Sequence, residues 1–336
     1  CCQTPLDVGR VSQTLINLGK NPNLHSVLLV SLGCESVVLE EVARAIADHG
    51  KRVETLTIQE VGGAAQSVAQ GQLITQDMVR EASDAVRVSC PVSSLVLGLK
   101  CGSSDTTQGL VTNPALGVAS DMVAEGGGTS VLGEVTEFIR AEHLLAQHAR
   151  NEEVAKEILE LVNRMERRAR SVGCDMRGGQ PTGGNIKGGL TTIEEKSLGA
   201  IAKAGSATIE AVYEYGIRPV TKGLVVMDSP GREPEVLTGL AAAGCNIIAF
   251  STGRGAPQGF PFVPVVKMTG NERTWRSLRD HMDIYVGTVV EGTETLHEAG
   301  KRIFTELLSF ASGRFTRAEI SGYTDSMDIY VVGPVI

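Results

Sequence analysis

Short runs rich in apolar residues recur along this chain, separated by stretches with helical periodicity, and this alternation restricts the fold more than any other feature. Leu24–Leu32, Arg52–Ile58, Ser94–Leu99, Thr129–Gly133, Gly223–Met227, Asn246–Phe250 and Val263–Met268 each have the length of a strand. Where apolar residues follow one another without alternating, a strand is buried on both faces, as in parallel sheets covered by helices. Between these runs the spacing predicts helices at 36–49, within 74–84, at 114–125, 233–243 and 294–312, the third with Pro114 in its first turn. The charged stretch 134–172 reads as two further helices. The rhythm predicts an α/β fold: two consecutive βα domains with mostly parallel sheets and helices on the faces. The sharpest composition shift, GCDMRGGQPTGGNIKGG at 173–189, sets the expected boundary. A first domain at 1–175 would carry Cys, Asp and Glu at its turns, and a second at 176–336 would carry Gly-rich loops suited to anions.

Charge and ring content narrow the partners. With 31 basic and 39 acidic residues, a net charge of −8 and 4% aromatics, the chain has neither the basic face nor the stacking rings of a nucleic-acid surface. No apolar stretch approaches the roughly 20 residues of a membrane helix. A small-molecule substrate or a protein partner is expected, with no nucleic acid and no membrane. The start, Cys1-Cys2-Gln3, shows no signal segment and suggests that upstream residues are absent. Seven cysteines, an odd number in a long chain, fit a reducing compartment, and the cytoplasm is the expected location.

The chemically capable residues fall at strand-to-helix turns. Cys34 follows the first run, Cys101 and Asp105 the third, Glu134 and Glu137 the fourth, Asp228 the run GLVVM, and Thr252 and Arg254 the run NIIAF. In a parallel sheet these side chains crowd one edge, where ligands bind. Cys1 or Cys2 with Cys34 and Cys101 would supply three thiolates for an iron–sulfur cluster with one iron open to substrate. The alternative is a single Fe2+ held by oxygen and imidazole, with Asp105, Glu134 or His143 as donors. Cys90, Cys174 and Cys245 read as packing residues. In GGNIKGGLTTIEEKSLG, Thr191 or Thr192 caps a helix with Glu194 or Glu195 near the box position, while Lys187 or Lys196 could meet a carboxylate or sulfonate. Arg254, between glycines, presents a fork suited to a carboxylate.

GCES, GLKCGSSD, NPALG, GEVTEFIRAEHLL, GGNIKGGLTTIEEKSLGAI, GLVVMDSPG and FSTGRGAPQG, in that order, resemble the altronate/galactarate dehydratase family, which includes the large subunit of (2R)-sulfolactate sulfo-lyase. The resemblance implies a metal-dependent lyase, β-elimination from a hydroxy acid, and iron held by Cys34, Cys101 and Cys1, with Asp105 nearby. It also implies that Glu134, His143 or Lys196 is the base, and that Lys187, Thr191, Thr192, Asp228, Thr252 and Arg254 serve the substrate. Family members are similar to a small β-rich domain followed by this region. The resemblance therefore implies a missing amino-terminal domain or a separate small β-rich subunit, together with a homo-oligomer. A sugar-acid hydro-lyase, a sulfo-lyase and a non-catalytic α/β binding protein are the readings in view. The chain lacks both G-x-G-x-x-G after a strand and G-x-x-x-x-G-K-[ST], which counts against the last.

Overall fold

Among the described residues nine parallel strands carry the architecture, split unequally between two sheets. In the computed structural model, which describes residues 3–325 and 327–333, β1 (Ser26–Ser31) and β2 (Arg52–Thr57) pair in parallel as a small sheet of their own. The helices Leu39–Ala47 and Ala64–Ala82 pack on it. The other strands are β3 (Val96–Gly102), β4 (Thr129–Leu132), β5 (Ile209–Tyr213), β6 (Gly223–Met227), β7 (Ile247–Thr252), β8 (Val265–Thr269) and β9 (Ile284–Tyr285). They form one all-parallel sheet in the order β5-β6-β4-β3-β7-β8-β9. The α/β class and the parallel pairing are as the sequence predicts. The apolar pattern does not predict β5 and β9: they are the two edge strands, and neither has the unbroken apolar run of the inner ones.

Residue 175 divides no sheet. β4 pairs with β6 and β3 with β7, so strands from both sides of it are hydrogen-bonded neighbours. The Gly-rich stretch 173–189 instead folds back over the turn after β3, with Asn185 Nδ2 donating to Ser104 O at 3.2 Å.

Burial on both faces explains the apolar continuity. In β3, Leu97 and Leu99 point into one core with the helices Asn113–Glu125, Glu152–Ser171 and Leu296–Ala311. Val131, Val225, Ile248 and Phe250 point the other way, into a core shared with the helix Glu233–Ala242. β3 is followed by β4 on one side, while β7 lies on its other side and is followed outward by β8 and β9. The winding direction therefore reverses between β3 and β7, and the crevice beyond their carboxyl ends is the expected ligand position. Among the described residues no helix is long and apolar enough to cross a membrane.

Candidate functional site

Beyond the carboxyl ends of β3, β4 and β6 lies a cavity of about 430 Å3. Its wall includes Cys101, Gly102, Ser103 and Ser104 from the end of β3, and Thr136 and Glu137 from the turn after β4. Gln180, Thr182 and Asn185 come from the Gly-rich stretch, Lys196 from the helix Ile193–Ile201, and Arg232 and Glu233 from the start of the helix Glu233–Ala242. β3 runs on to Gly102, so Cys101 lies within the strand rather than just past it.

Three charged side chains are sealed beneath this wall. Lys100, Lys203 and Glu134 are each at most 1% exposed. Glu134 Oε1 pairs with Lys100 Nζ. Its Oε2 accepts from the Cys101 N–H at 2.7 Å and from Lys203 Nζ at 3.2 Å. Lys203 also donates to Cys101 Sγ at 3.2 Å and to Ala200 O at 3.1 Å. To reach under β3, Glu134 takes a left-handed backbone, φ 70° and ψ 58°, with its N–H held by Ser229 Oγ at 2.7 Å. That conformation costs on the order of 1–2 kcal/mol for a residue with a Cβ, and the ion pairs it permits offset the strain.

The electrostatics follow from this packing. Burial alone would push Glu134 up, but the Lys100 and Lys203 ammoniums outweigh it and hold the carboxyl below its usual range. Burial likewise opposes charge on both lysines, and Glu134 restores it in Lys100; in Lys203 the hydrogen bond to Cys101 Sγ and the Glu134 charge do so. The Cys101 thiol is pushed up to about 12, by burial first and by the Glu134 charge second. Two ammoniums, one carboxylate and a neutral thiol leave one net positive charge beneath the cavity. A negative charge that develops above it is therefore favoured.

The helix carrying Lys196 and leading to Lys203 sits against the turn after Asp105 because two glycines meet there. A Cβ on Gly199 would come within 2.8 Å of Gly109 Cα, and Asn113 Nδ2 donates to Gly199 O at 2.7 Å. Lys196 Nζ reaches Glu137 Oε1 at 3.1 Å and Gln180 Oε1 at 2.8 Å.

Of the residues expected from sequence, Cys101 and Lys196 lie on the cavity wall. Glu134 is beneath it. His143 and Lys187 are exposed and off the wall. Thr191 and Thr192 are occupied in capping: Thr192 Oγ1 accepts from Glu195 N at 3.1 Å, and Glu195 Oε2 accepts from Thr191 Oγ1 at 2.6 Å. Thr252 Oγ1 closes its own turn on the N–H groups of Gly255 and Ala256. Asp228 is buried, which pushes its carboxyl up, and it accepts from Arg164 at 2.8 Å. Arg254 braces the Gly-rich stretch by donating to Gly184 O at 2.8 Å.

The iron ligands expected from sequence form no centre among the described residues, where no group of three His, Cys, Asp or Glu has metal-holding geometry. Cys34 is exposed beyond β1, while Cys101 is buried against Lys203. Asp105 has both oxygens taken by neutral donors: Thr107 Oγ1 and Gln108 N at Oδ1, and Asn271 Nδ2 at Oδ2. Gly253 packs so closely on it that a Cβ there would lie 2.2 Å from Asp105 Cγ. Cys1 lies outside the described residues.

Sequence reasoning missed Lys100 and Lys203. Their signal was a lysine inside an apolar run, VLGLKC and AIAKAG, where a solvated charge has no place.

Comparison with known proteins shows the family. Residues 92–333 match the carboxyl-terminal region of D-galactarate/altronate dehydratases, and residues 1–83 match the second domain of D-galactarate dehydratase/altronate hydrolase. The chain is 38% identical to the (2R)-sulfolactate sulfo-lyase subunit beta of Chromohalobacter salexigens, covering 93% of this chain and 80% of that subunit. It is 36% identical to galactarate dehydratase (L-threo-forming) of Escherichia coli, over 90% of this chain and 59% of the relative. With altronate dehydratase of Bacillus subtilis the identity is 35%, over 97% of this chain and 65% of the relative. The chain thus spans less than two thirds of either dehydratase. With both regions matched in order and the cavity built within the larger one, the chain belongs to the D-galactarate/altronate dehydratase family.

Proposed function

We propose that this chain catalyses β-elimination of water from a hydroxy acid of the altronate or galactarate type, leaving a 2-keto-3-deoxy acid. The observation that supports this most is the cavity wall. It offers hydroxyls from Ser103, Ser104, Thr136 and Thr182, amides from Gln180 and Asn185, both signs of charge, and no aromatic ring. Such a wall matches a chain of hydroxyls ending in a carboxylate, and about 430 Å3 accommodates a ligand of that size. Loss of the proton next to a carboxylate builds negative charge on the substrate. The net positive charge of Lys100, Glu134 and Lys203 lies beneath the same wall.

A second reading, elimination of sulfite from a sulfolactate-like acid, draws on the match over 80% of a sulfo-lyase subunit. It carries with it a separate small subunit as partner. Incubation with altronate, galactarate and sulfolactate, assaying 2-keto acid and free sulfite separately, tests both. Keto acid without sulfite supports the first reading; sulfite from sulfolactate alone replaces it with the second. Iron and acid-labile sulfide in anaerobically purified wild type, C34A and C101A test the three-thiolate expectation. Sulfide lost in both variants would join Cys34 and Cys101 in one cluster through a thiolate outside the described residues.

A further inference from the structure

An elimination needs a group to take a proton and a group to give one, and the cavity wall holds a pair placed to do both. Glu137 ends the short turn Val135–Glu137 after β4, and Lys196 lies in the helix Ile193–Ile201. Their side chains meet at 3.1 Å, 13% and 10% exposed respectively. Glu137 Oε2 is shielded from solvent and has no hydrogen-bond partner among the described residues. Lys196 is fixed from its other side by Gln180. Glu134 differs in each respect: it has both oxygens engaged by Lys100, Lys203 and the Cys101 N–H and does not reach the wall.

We propose that Glu137 is the base that removes the proton next to the substrate carboxylate, and that Lys196 protonates the departing hydroxide; this assignment rests on the elimination reading above. The C–H bond breaks first and reversibly: its proton passes to the Glu137 carboxylate and its electron pair is held on the substrate as an enediolate. In a second step that pair forms the new C=C bond as the neighbouring C–O bond breaks. The oxygen leaves with the electron pair of that bond and takes a proton from the Lys196 ammonium, departing as water. The product enol then becomes the 2-keto acid. Glu137, now protonated, faces neutral Lys196 across 3.1 Å. The proton held on Glu137 exchanges with solvent through the cavity or returns over that contact, and either route restores both groups.

The test compares wild type with E137Q, K196M and K196R on altronate and galactarate in D2O. Two readouts are followed: 2-keto acid formed, and deuterium incorporated next to the carboxylate of recovered substrate. E137Q loses both, by about 10²–10⁴-fold. K196M loses product to a similar degree and still exchanges deuterium, because the base is intact. K196R keeps the ion pair with Glu137 and so guards against misfolding of K196M; it shows the same split, since a guanidinium does not give up its proton. The assignment is overturned if E137Q exchanges at the wild-type rate, if E233Q loses exchange while E137Q keeps it, or if both Lys196 variants form product normally. It is equally overturned if both Lys196 variants lose exchange along with product. Wild type that neither exchanges nor eliminates with any acid overturns the functional reading and the pair with it, whereas active wild type with active E137Q overturns the pair alone.

Discussion

Two kinds of buried lysine lie in or against one sheet, a few strands apart. Lys100 and Lys203, at the carboxyl edge beneath the cavity, share Glu134 and are held charged. Lys267, within β8, is equally buried, but among the described residues its Nζ finds only Gln258 O at 3.5 Å. Burial therefore lowers it to about 8, with Asp283 and Glu319 opposing only in part. The difference is one of pairing rather than depth. A carboxylate placed at hydrogen-bond distance keeps an ammonium in the interior, whereas a single carbonyl does not.

The largest effect should come from removing the shared anion. Glu134→Gln leaves two buried ammoniums without their shared carboxylate, with only the more distant Glu233 and Glu137 charges opposing the burial cost, and we expect it to lose about 3–5 kcal/mol of stability in urea unfolding. The sign with pH is fixed by the lowered pKa. The stability contributed by Glu134 is complete above its ordinary value of 4.5 and is lost as pH falls through the lower folded value. Wild type should show this acid limb and E134Q should not. If E134Q unfolds at the wild-type midpoint, the three charges are not the unit described here.

The slope at Lys267 has the same sign but lies in the alkaline range, and it comes from the cost of burying a charge rather than from an ion pair. Its folded pKa lies below the unfolded 10.5, so between about 8 and 10.5 the unfolded chain binds more protons and stability rises with pH. Each tenfold difference in proton affinity between the folded and unfolded chain is worth roughly 1.4 kcal/mol, so the full rise is on the order of 3 kcal/mol. K267M removes the charged form altogether. It should be more stable than wild type at pH 7 by about 1–3 kcal/mol, with a flat profile between pH 8 and 10.5. An unchanged rise in K267M would assign the titration to another group and dissolve the contrast with Lys100 and Lys203.

The sheet was legible because burial on both faces writes itself as unbroken apolar residues, which is why β3, β4, β6, β7 and β8 all lie where the runs lie. The edge strands β5 and β9 lack that signature. The site was legible only in part, for a related reason. GCES after β1 and KCGSSD at the end of β3 carry the same local signal, a cysteine beside glycine at a strand end. Yet the first cysteine is exposed in a loop whose Glu35 takes the N–H groups of Leu32, Gly33 and Cys34, while the second is buried among ammoniums. Strand order separates them, since β1 belongs to the two-stranded sheet and β3 to the centre of the seven-stranded one, and order depends on contacts remote in sequence. The meeting of Glu137 with Lys196, and of Glu134 with Lys203, depends on such contacts too.

The smallest effect is the most local reading of the charge cluster. Cys101 shares both neighbours of the cluster: Glu134 raises its pKa and Lys203 lowers it, within a burial effect larger than either. Its thiol therefore reports the field that separates the two kinds of lysine. In wild type at pH 8.5, with the thiol pushed up to about 12, alkylation of Cys101 by iodoacetamide should be negligible while exposed Cys34 reacts. E134Q removes the anion and leaves Lys203, so the thiol should come down and Cys101 should label faster, read by mass spectrometry of the peptide. K203M should do the reverse. C101S should change stability by under about 1 kcal/mol, since a hydroxyl still accepts from Lys203. Equal labelling of Cys101 in all three proteins would mean that access alone governs it, and the field of the cluster would not reach the cavity wall.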